Sequence, residues 1–171
     1  MQGRDAVSVT GLTDDVVAPI YVMLNKPRGL LTTTQDEKGR DTVYRCFDGS
    51  DLPWLAPVGR LDKASEGLLL FSNDPAWAAR ITSPESCLDE TYHVQINRVV
   101  TDTDLQMMLD GVRIEGELHA MKQVSCLRAG EKNSWLEVVL DEGKNRQIRK
   151  ILAALNIEVL RLIRVSIGNL L

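Results

Sequence analysis

Apolar and polar residues alternate with period two over residues 20–25, where Ile20, Val22 and Leu24 interleave with Tyr21, Met23 and Asn25. That spacing predicts a strand with one buried face, and Pro27 with Gly29 ends it in a turn. LLTTT (30–34) is a second short β-rich stretch, followed by the polar loop QDEKGR. DTVYRCF reads as a short helix capped by Asp41. Leu68-Leu69-Leu70-Phe71 is a continuous apolar run of the kind that forms a buried strand. Asp74 followed by Pro75 predicts a helix start, with Asp at the N-cap and Pro at the first helical position, and AWAARI then runs to the break at Ser83-Pro84.

TYHVQIN alternates as a strand, and TDTDLQMMLDG, with its acidic start and closing glycine, predicts a short helix. VRIEGE, AMKQVSCLRA and SWLEVVLDEG read as strands joined by turns. In KNRQIRKILAALN, Ile148, Ile151, Leu152 and Leu155 fall at i, i+3, i+4 and i+7, one apolar stripe on a helix, with Asn145 as N-cap and Asn156 as stop. EVLRLIRVSIG returns as a strand. Strands dominate without regular βαβ alternation. The expectation is an α+β fold with a mixed, largely antiparallel central sheet and a few flanking helices. Residues 1–16 are polar and pattern-poor and read as a tail, leaving 17–171 as one domain.

Composition changes this picture little. The 171 residues are 44% hydrophobic and 26% charged, an ordinary globular balance. No segment has the unbroken apolar length of a membrane span, and the N-terminus has no apolar signal core. Cys46, Cys87 and Cys126 are odd in number and far apart, which argues for reduced thiols and a cytoplasmic protein. The two histidines, His93 and His119, lack ligand spacing, so no metal is expected. No nucleotide-cofactor glycine motif is present, nor a G-x-S-x-G nucleophile elbow.

Charge changes it more. The net charge of −4 leans against a nucleic-acid partner when averaged over the chain. Yet Lys144, Arg146, Arg149, Lys150, Arg161 and Arg164 cluster near the C-terminus against the single acid Glu158. Arg146, Arg149 and Lys150 share one face near the start of the predicted helix. Cations there oppose the helix dipole at a cost of about 0.3–1 kcal/mol each, and with the free N–H groups they make an anion site.

The remaining puzzle is APVGRLDKASEGLLLFSND (56–74), in which Arg60, Asp62 and Lys63 interrupt an apolar stretch. Asp62 is ionised at neutral pH without help from a base, but out of water it needs a partner. Arg60 would share its face on an extended backbone, and Arg149 is the other candidate. Spacing alone leaves a structural turn aspartate and a catalytic one equally open.

Gly59-Arg60-Leu61-Asp62, with Ser65-Glu66-Gly67-Leu68-Leu69-Leu70 and Asn73-Asp74, resembles the signature of pseudouridine synthases, and most closely the ribosomal small-subunit pseudouridine synthase A family. Asn25-Lys26-Pro27-Arg28-Gly29, the stretch Glu142 to Lys150, and Arg161-Leu162-Ile163-Arg164 with Ile167-Gly168 resemble its other motifs, in the family's order. The resemblance implies isomerisation of a specific uridine in ribosomal RNA, that of the large subunit (23S), with no cofactor, in a monomer that binds neither membrane nor metal, with 17–171 as the catalytic domain and an active-site cleft across its sheet. It implies Asp62 as catalytic aspartate, Tyr92 against the target base, Arg149 paired with Asp62, Arg60 on the flipped nucleotide and Ile148 near the base. Lys26, Lys144, Arg146 and Lys150 are the cations expected on the RNA. Departures are Glu90, where the family usually has lysine, an early end at Leu171, and no preceding small RNA-binding domain, which suggests a stand-alone type. A non-catalytic RNA-binding or ribosome-assembly module and a tRNA-modifying relative are the alternative readings.

Overall fold

The computed structural model describes residues 18–32, 41–83, 85, 88–141 and 145–168. The expected tail, the QDEKGR loop and the last two residues of LLTTT lie outside these residues.

The strands are β1 (Tyr21–Lys26), β2 (Ala56–Val58), β3 (Glu66–Ser72), β4 (Glu90–Ile96), β5 (Val112–Ile114), β6 (Glu117–His119), β7 (Gln123–Ala129), β8 (Ser134–Leu140) and β9 (Val159–Ile167). The α-helices are α1 (Pro75–Thr82), α2 (Asp102–Asp110) and α3 (Asn145–Ala154), with a 3₁₀ turn over Val43–Phe47. One sheet runs in the order β1-β3-β9-β4-β8-β7, with β2 beside β3, and β5 and β6 form a separate hairpin. All neighbours are antiparallel except β3 and β9. This is the mixed, mostly antiparallel α+β architecture expected.

The crowding around β3 decides where the site lies. β1 runs along all of β3, from Tyr21 opposite Ser72 to Lys26 opposite Gly67. The other edge is shared: β2 lies beside Leu70–Ser72 and β9 beside Glu66–Gly67. The chain between β2 and β3, which carries Asp62, is therefore delivered to the place where β9 arrives.

Two bodies of core flank this seam. The larger packs Tyr92, Val94 and Ile96 of β4 and Leu136, Val138 and Leu140 of β8 against Ile148, Ile151 and Leu152 of α3. Each of these aliphatic side chains, once buried, contributes about 1.5–3 kcal/mol. The smaller joins Leu61, Leu69 and Phe71 with Val43 and Leu55. On the opposite face of β3, Leu68 and Leu70 meet Val58, Ile167 and the α1 side chains Trp77 and Ile81.

Local signals explain most boundaries. Asp74 accepts from Trp77 N–H at 3.1 Å and Pro75 opens α1. Thr101 and Asp104 form a reciprocal capping box on α2. Asn156 ends α3 with φ of 61°, while Ile157 N–H reaches Leu152 O at 2.8 Å and Asn156 N–H reaches Ala153 O at 3.0 Å, a Schellman ending. Three expectations need correction. Asp41 does not cap the 3₁₀ turn: Thr42 occupies the cap, and Asp41 pairs with Arg45 one turn on. VRIEGE is not one strand but a hairpin whose turn residues Glu115 and Gly116 both have positive φ, which reverses the chain in two residues. Asn145 is the first helical residue of α3, not the residue before it.

Candidate active site

Asp62 sits half-buried on the loop between β2 and β3, after Leu61, which turns into the core, and Arg60, which stays exposed. The loop's backbone is tied on all sides. Ser65 N–H closes a turn onto Asp62 O at 3.0 Å, and Gly29 N–H reaches Lys63 O at 2.7 Å. Thr32 Oγ1 donates to Leu61 O at 2.7 Å and accepts from Leu61 N–H at 3.2 Å. Gly59 and Gly67, at φ of 78° and 109°, let the backbone turn on either side of the charges.

Lys26 is the centre of that fastening, which corrects its expected place on the RNA. It is fully buried, and its Nζ donates to Ser65 O at 2.7 Å, to Pro27 O and Asp62 O at 3.1 Å each, and to Lys63 O at 3.4 Å. As the last residue of β1, opposite Gly67, it points inward under the Asp62 loop, out of reach of a phosphate. Burial lowers its pKa to about 8, partly opposed by the Glu66 and Asp62 carboxylates, so it carries its charge at neutral pH. The motif gave no sign of this burial; the one local hint is the period, which puts residue 26 on the same face of β1 as Val22 and Leu24.

Tyr92 of β4 is also fully buried, within the larger core. Its hydroxyl donates to Glu90 Oε1 at 2.6 Å, and Arg164 Nη1 donates to the same oxygen at 3.2 Å. Arg164 Nε donates to Leu68 O at 2.9 Å, so this guanidinium binds β9 to both β4 and β3. Burial, with the Glu90 carboxylate beside it, pushes the Tyr92 phenol well up, Arg164 opposing; Tyr92 is a neutral donor at physiological pH. Glu90 thus removes a cation from the family pattern and supplies an acceptor in its place. Sequence reasoning passed over this cluster, yet residues 90 and 92 share a strand face by period.

Among the described residues, the cations of the C-terminal region do not form one patch. Arg161 and Arg164 leave opposite faces of β9 and are paired, Arg161 with Glu66 at 2.8 Å and Arg164 with Glu90 at 3.2 Å. On α3, Arg149 is half-buried and its Nη2 donates to Ser65 Oγ at 3.4 Å, while Lys150 is exposed. Ile148 is fully buried in the core, as its stripe demands. Lys144 and the side chain of Arg146 lie outside what the structure describes. Asp62, Ser65, Lys26, Tyr92 and Arg149 thus meet around the β3–β9 seam.

The other candidates stay apart. His93 faces Glu137 across the strands at 3.4 Å. Among the described residues no cluster of histidine, cysteine and carboxylate groups could hold a metal ion, and no helix is long and apolar enough to cross a membrane.

This fold, with an aspartate loop held at a seam of a mixed sheet, is that of pseudouridine synthases: a crystal structure of a pseudouridylate synthase superposes with a TM-score of 0.73 at 30% identity, covering 90% of this chain and 65% of that one. The sequence pattern of the RNA pseudouridylate synthase family matches residues 20–154, and the chain belongs to that family. A Bacillus subtilis protein named ribosomal large subunit pseudouridine synthase B is 33% identical over 165 residues, 95% of this chain and 67% of that protein. A Rickettsia bellii protein named uncharacterized RNA pseudouridine synthase is 40% identical over 146 residues, 84% of this chain and 62% of that protein. The chain thus spans roughly two thirds of the length of these relatives.

Proposed function

We propose that this protein is an RNA pseudouridine synthase that isomerises a uridine in ribosomal RNA, that of the large subunit, with Asp62 as nucleophile. The observation that carries the reading is the fastening of the Asp62 loop: its backbone is fixed by Lys26, Gly29 and Thr32 while Arg149 reaches Ser65 from the facing helix. A structural turn aspartate does not need a buried ammonium beneath it. The family match and the names of the Bacillus and Rickettsia relatives support the same reaction class.

In this reading the carboxylate of Asp62 starts the scission of the C1′–N1 bond. The uracil then turns and C5 bonds to C1′; C5 loses a proton and N1 ends with one. The product is an isomer of the substrate, so the balance calls for no external oxidant, reductant or group donor. A duplex uridine must first leave its stack, at a cost of a few kcal/mol. Exposed Arg60 and Lys150 contribute to holding the displaced strand through phosphate contacts that weaken with salt. Arg149 supplies the positive charge that compensates Asp62 as water is displaced. The Tyr92 ring is covered, so a base reaches it only after neighbouring groups move. The protein works as a monomer, in the cytoplasm with its RNA.

The test is tritium release from RNA carrying 5-tritiated uridine. Wild-type protein releases tritium from large-subunit ribosomal RNA; Asp62→Ala and Asp62→Asn release none and still bind the RNA. Binding without release by the wild type overturns the enzyme reading, and full rescue of a deletion strain by Asp62→Asn favours a binding module.

A further inference from the structure

The parallel junction of β3 and β9 is the weakest part of the sheet and the most consequential for the site. Only Glu66 opposite Ile163 and Gly67 opposite Arg164 are in register there, and parallel pairing is slightly less stable per residue than antiparallel. Asp62, Ser65 and Lys26 belong to the β1–β3 side of this junction, and Tyr92, Arg149 and Arg164 to the other. Any tilt at the junction moves the two halves of the site against each other.

On the face of the sheet that carries Tyr92, ties across the junction include Arg149 Nη2 to Ser65 Oγ at 3.4 Å and Arg164 Nε to Leu68 O at 2.9 Å. Another lies on the opposite face. Arg161 grips Glu66 with both arms of its fork, Nη2 to Oε1 at 2.8 Å and Nε to Oε2 at 3.1 Å. The Arg161 guanidinium also lies 5.6 Å from the Trp135 ring centre, and Arg128 lies 5.0 Å from the same centre. The row Arg128, Trp135, Gln95, Arg161 follows the strand register across β7, β8, β4 and β9. Arg161 is thus braced by the whole larger half-sheet while it holds the first residue of β3.

We propose that Glu66 and Arg161 are a positioning pair for catalysis, a clasp behind the sheet that sets how the Asp62 loop meets Tyr92 and Arg149. Ion pairs with an exposed partner add little to overall stability, so the value of a two-pronged grip here is geometric. Glu66 follows Ser65 directly, and Ser65 closes the turn onto Asp62; a displacement of Glu66 passes through that turn to the nucleophile. The inference rests on the reading of Asp62 as nucleophile, and deepens it.

The experiment compares Glu66→Gln, Arg161→Met, Arg161→Lys and the Glu66→Gln/Arg161→Met double variant with wild type. Three quantities are read: single-turnover tritium release at saturating RNA, RNA affinity, and hydrogen exchange of the amides in 60–66. A clasp predicts a fall of about 10–100-fold in the saturated rate for the neutralised variants, the scale of a misplacement near 1 Å. RNA affinity stays within about threefold, because a positioning group acts on the bound state. The double variant is no slower than the slower single, since the two residues act as one unit. Arg161→Lys, which keeps charge and stem but loses the fork, gives an intermediate rate in a chain that keeps its fold. Amides 60–66 exchange faster in all the variants.

Saturated rates within about twofold of wild type, losses that multiply in the double variant, or lost affinity with an unchanged saturated rate each overturn the clasp. If wild-type protein releases no tritium, the Asp62 reading fails by itself. The clasp is then decided by exchange: faster exchange of 60–66 in Glu66→Gln upholds it, and unchanged exchange overturns it.

Discussion

The ammonium of Lys26 gives up water for the carbonyls of Pro27, Asp62, Lys63 and Ser65. Charged donors make the stronger hydrogen bonds, so the loop is held best while Lys26 keeps its proton. Raising the pH through about 8 discharges it, and the expected outcome is an alkaline fall in single-turnover rate that Lys26→Met, slow throughout, does not show. Stability moves the other way. The folded state holds this proton less tightly than the unfolded chain, whose lysine titrates near 10.4. Between those values the unfolded state binds more protons, so the contribution of Lys26 to stability rises with pH. Urea unfolding at pH 7 and pH 9.5, set beside the rate profile, checks the opposed trends. Lys26→Met also leaves buried carbonyls short of a donor, a loss of about 1–3 kcal/mol, read in the same unfolding experiment. Of this residue the sequence disclosed the motif and, by period, the face of β1, but not the burial, because a strand's last residue meets a core or water according to what packs over it.

At the scale of elements, α3 reads almost directly from its sequence. The stripe Ile148, Ile151, Leu152 is buried as the period requires, and Asn156 supplies the left-handed residue at the end. The stripe also decides between two roles for Ile148. A core residue replaced by valine loses about 0.5–1.5 kcal/mol of stability, with RNA affinity and saturated rate near wild type. A residue that touches the base loses rate or affinity instead, so denaturation and kinetics of Ile148→Val separate the two. The cations were legible only in part. Six of them fall in one stretch of sequence, but on β9 an interval of three residues sends Arg161 and Arg164 to opposite faces, where Glu66 and Glu90 take them up. Clustering along the chain is clustering in space on a helix face and not along a strand.

For the whole molecule, the β3–β9 seam turns on Gly67. A Cβ at this position would lie 2.1 Å from Arg164 O and 2.7 Å from Arg164 N, both backbone atoms, and φ is 109°. Gly67→Ala must therefore part the strands, and the expected loss is at least about 3 kcal/mol, from backbone strain and clash together. Thermal unfolding measures it; a melting temperature near wild type would show that the strands have room to part. The sequence by itself determined the strand and helix periods, the cap at Asp74, the α+β class, and through its motifs the aspartate on which the chemistry is proposed to rest, because each of these depends on near neighbours along the chain. Only the tertiary structure decided that β2 and β9 share one edge of β3, that the Asp62 loop closes over Lys26, and that Glu66 meets Arg161 and Glu90 meets Arg164. Those partners stand 95 and 74 residues apart, and a pairing at such separation is set by how the strands are ordered in the sheet, which no local period encodes.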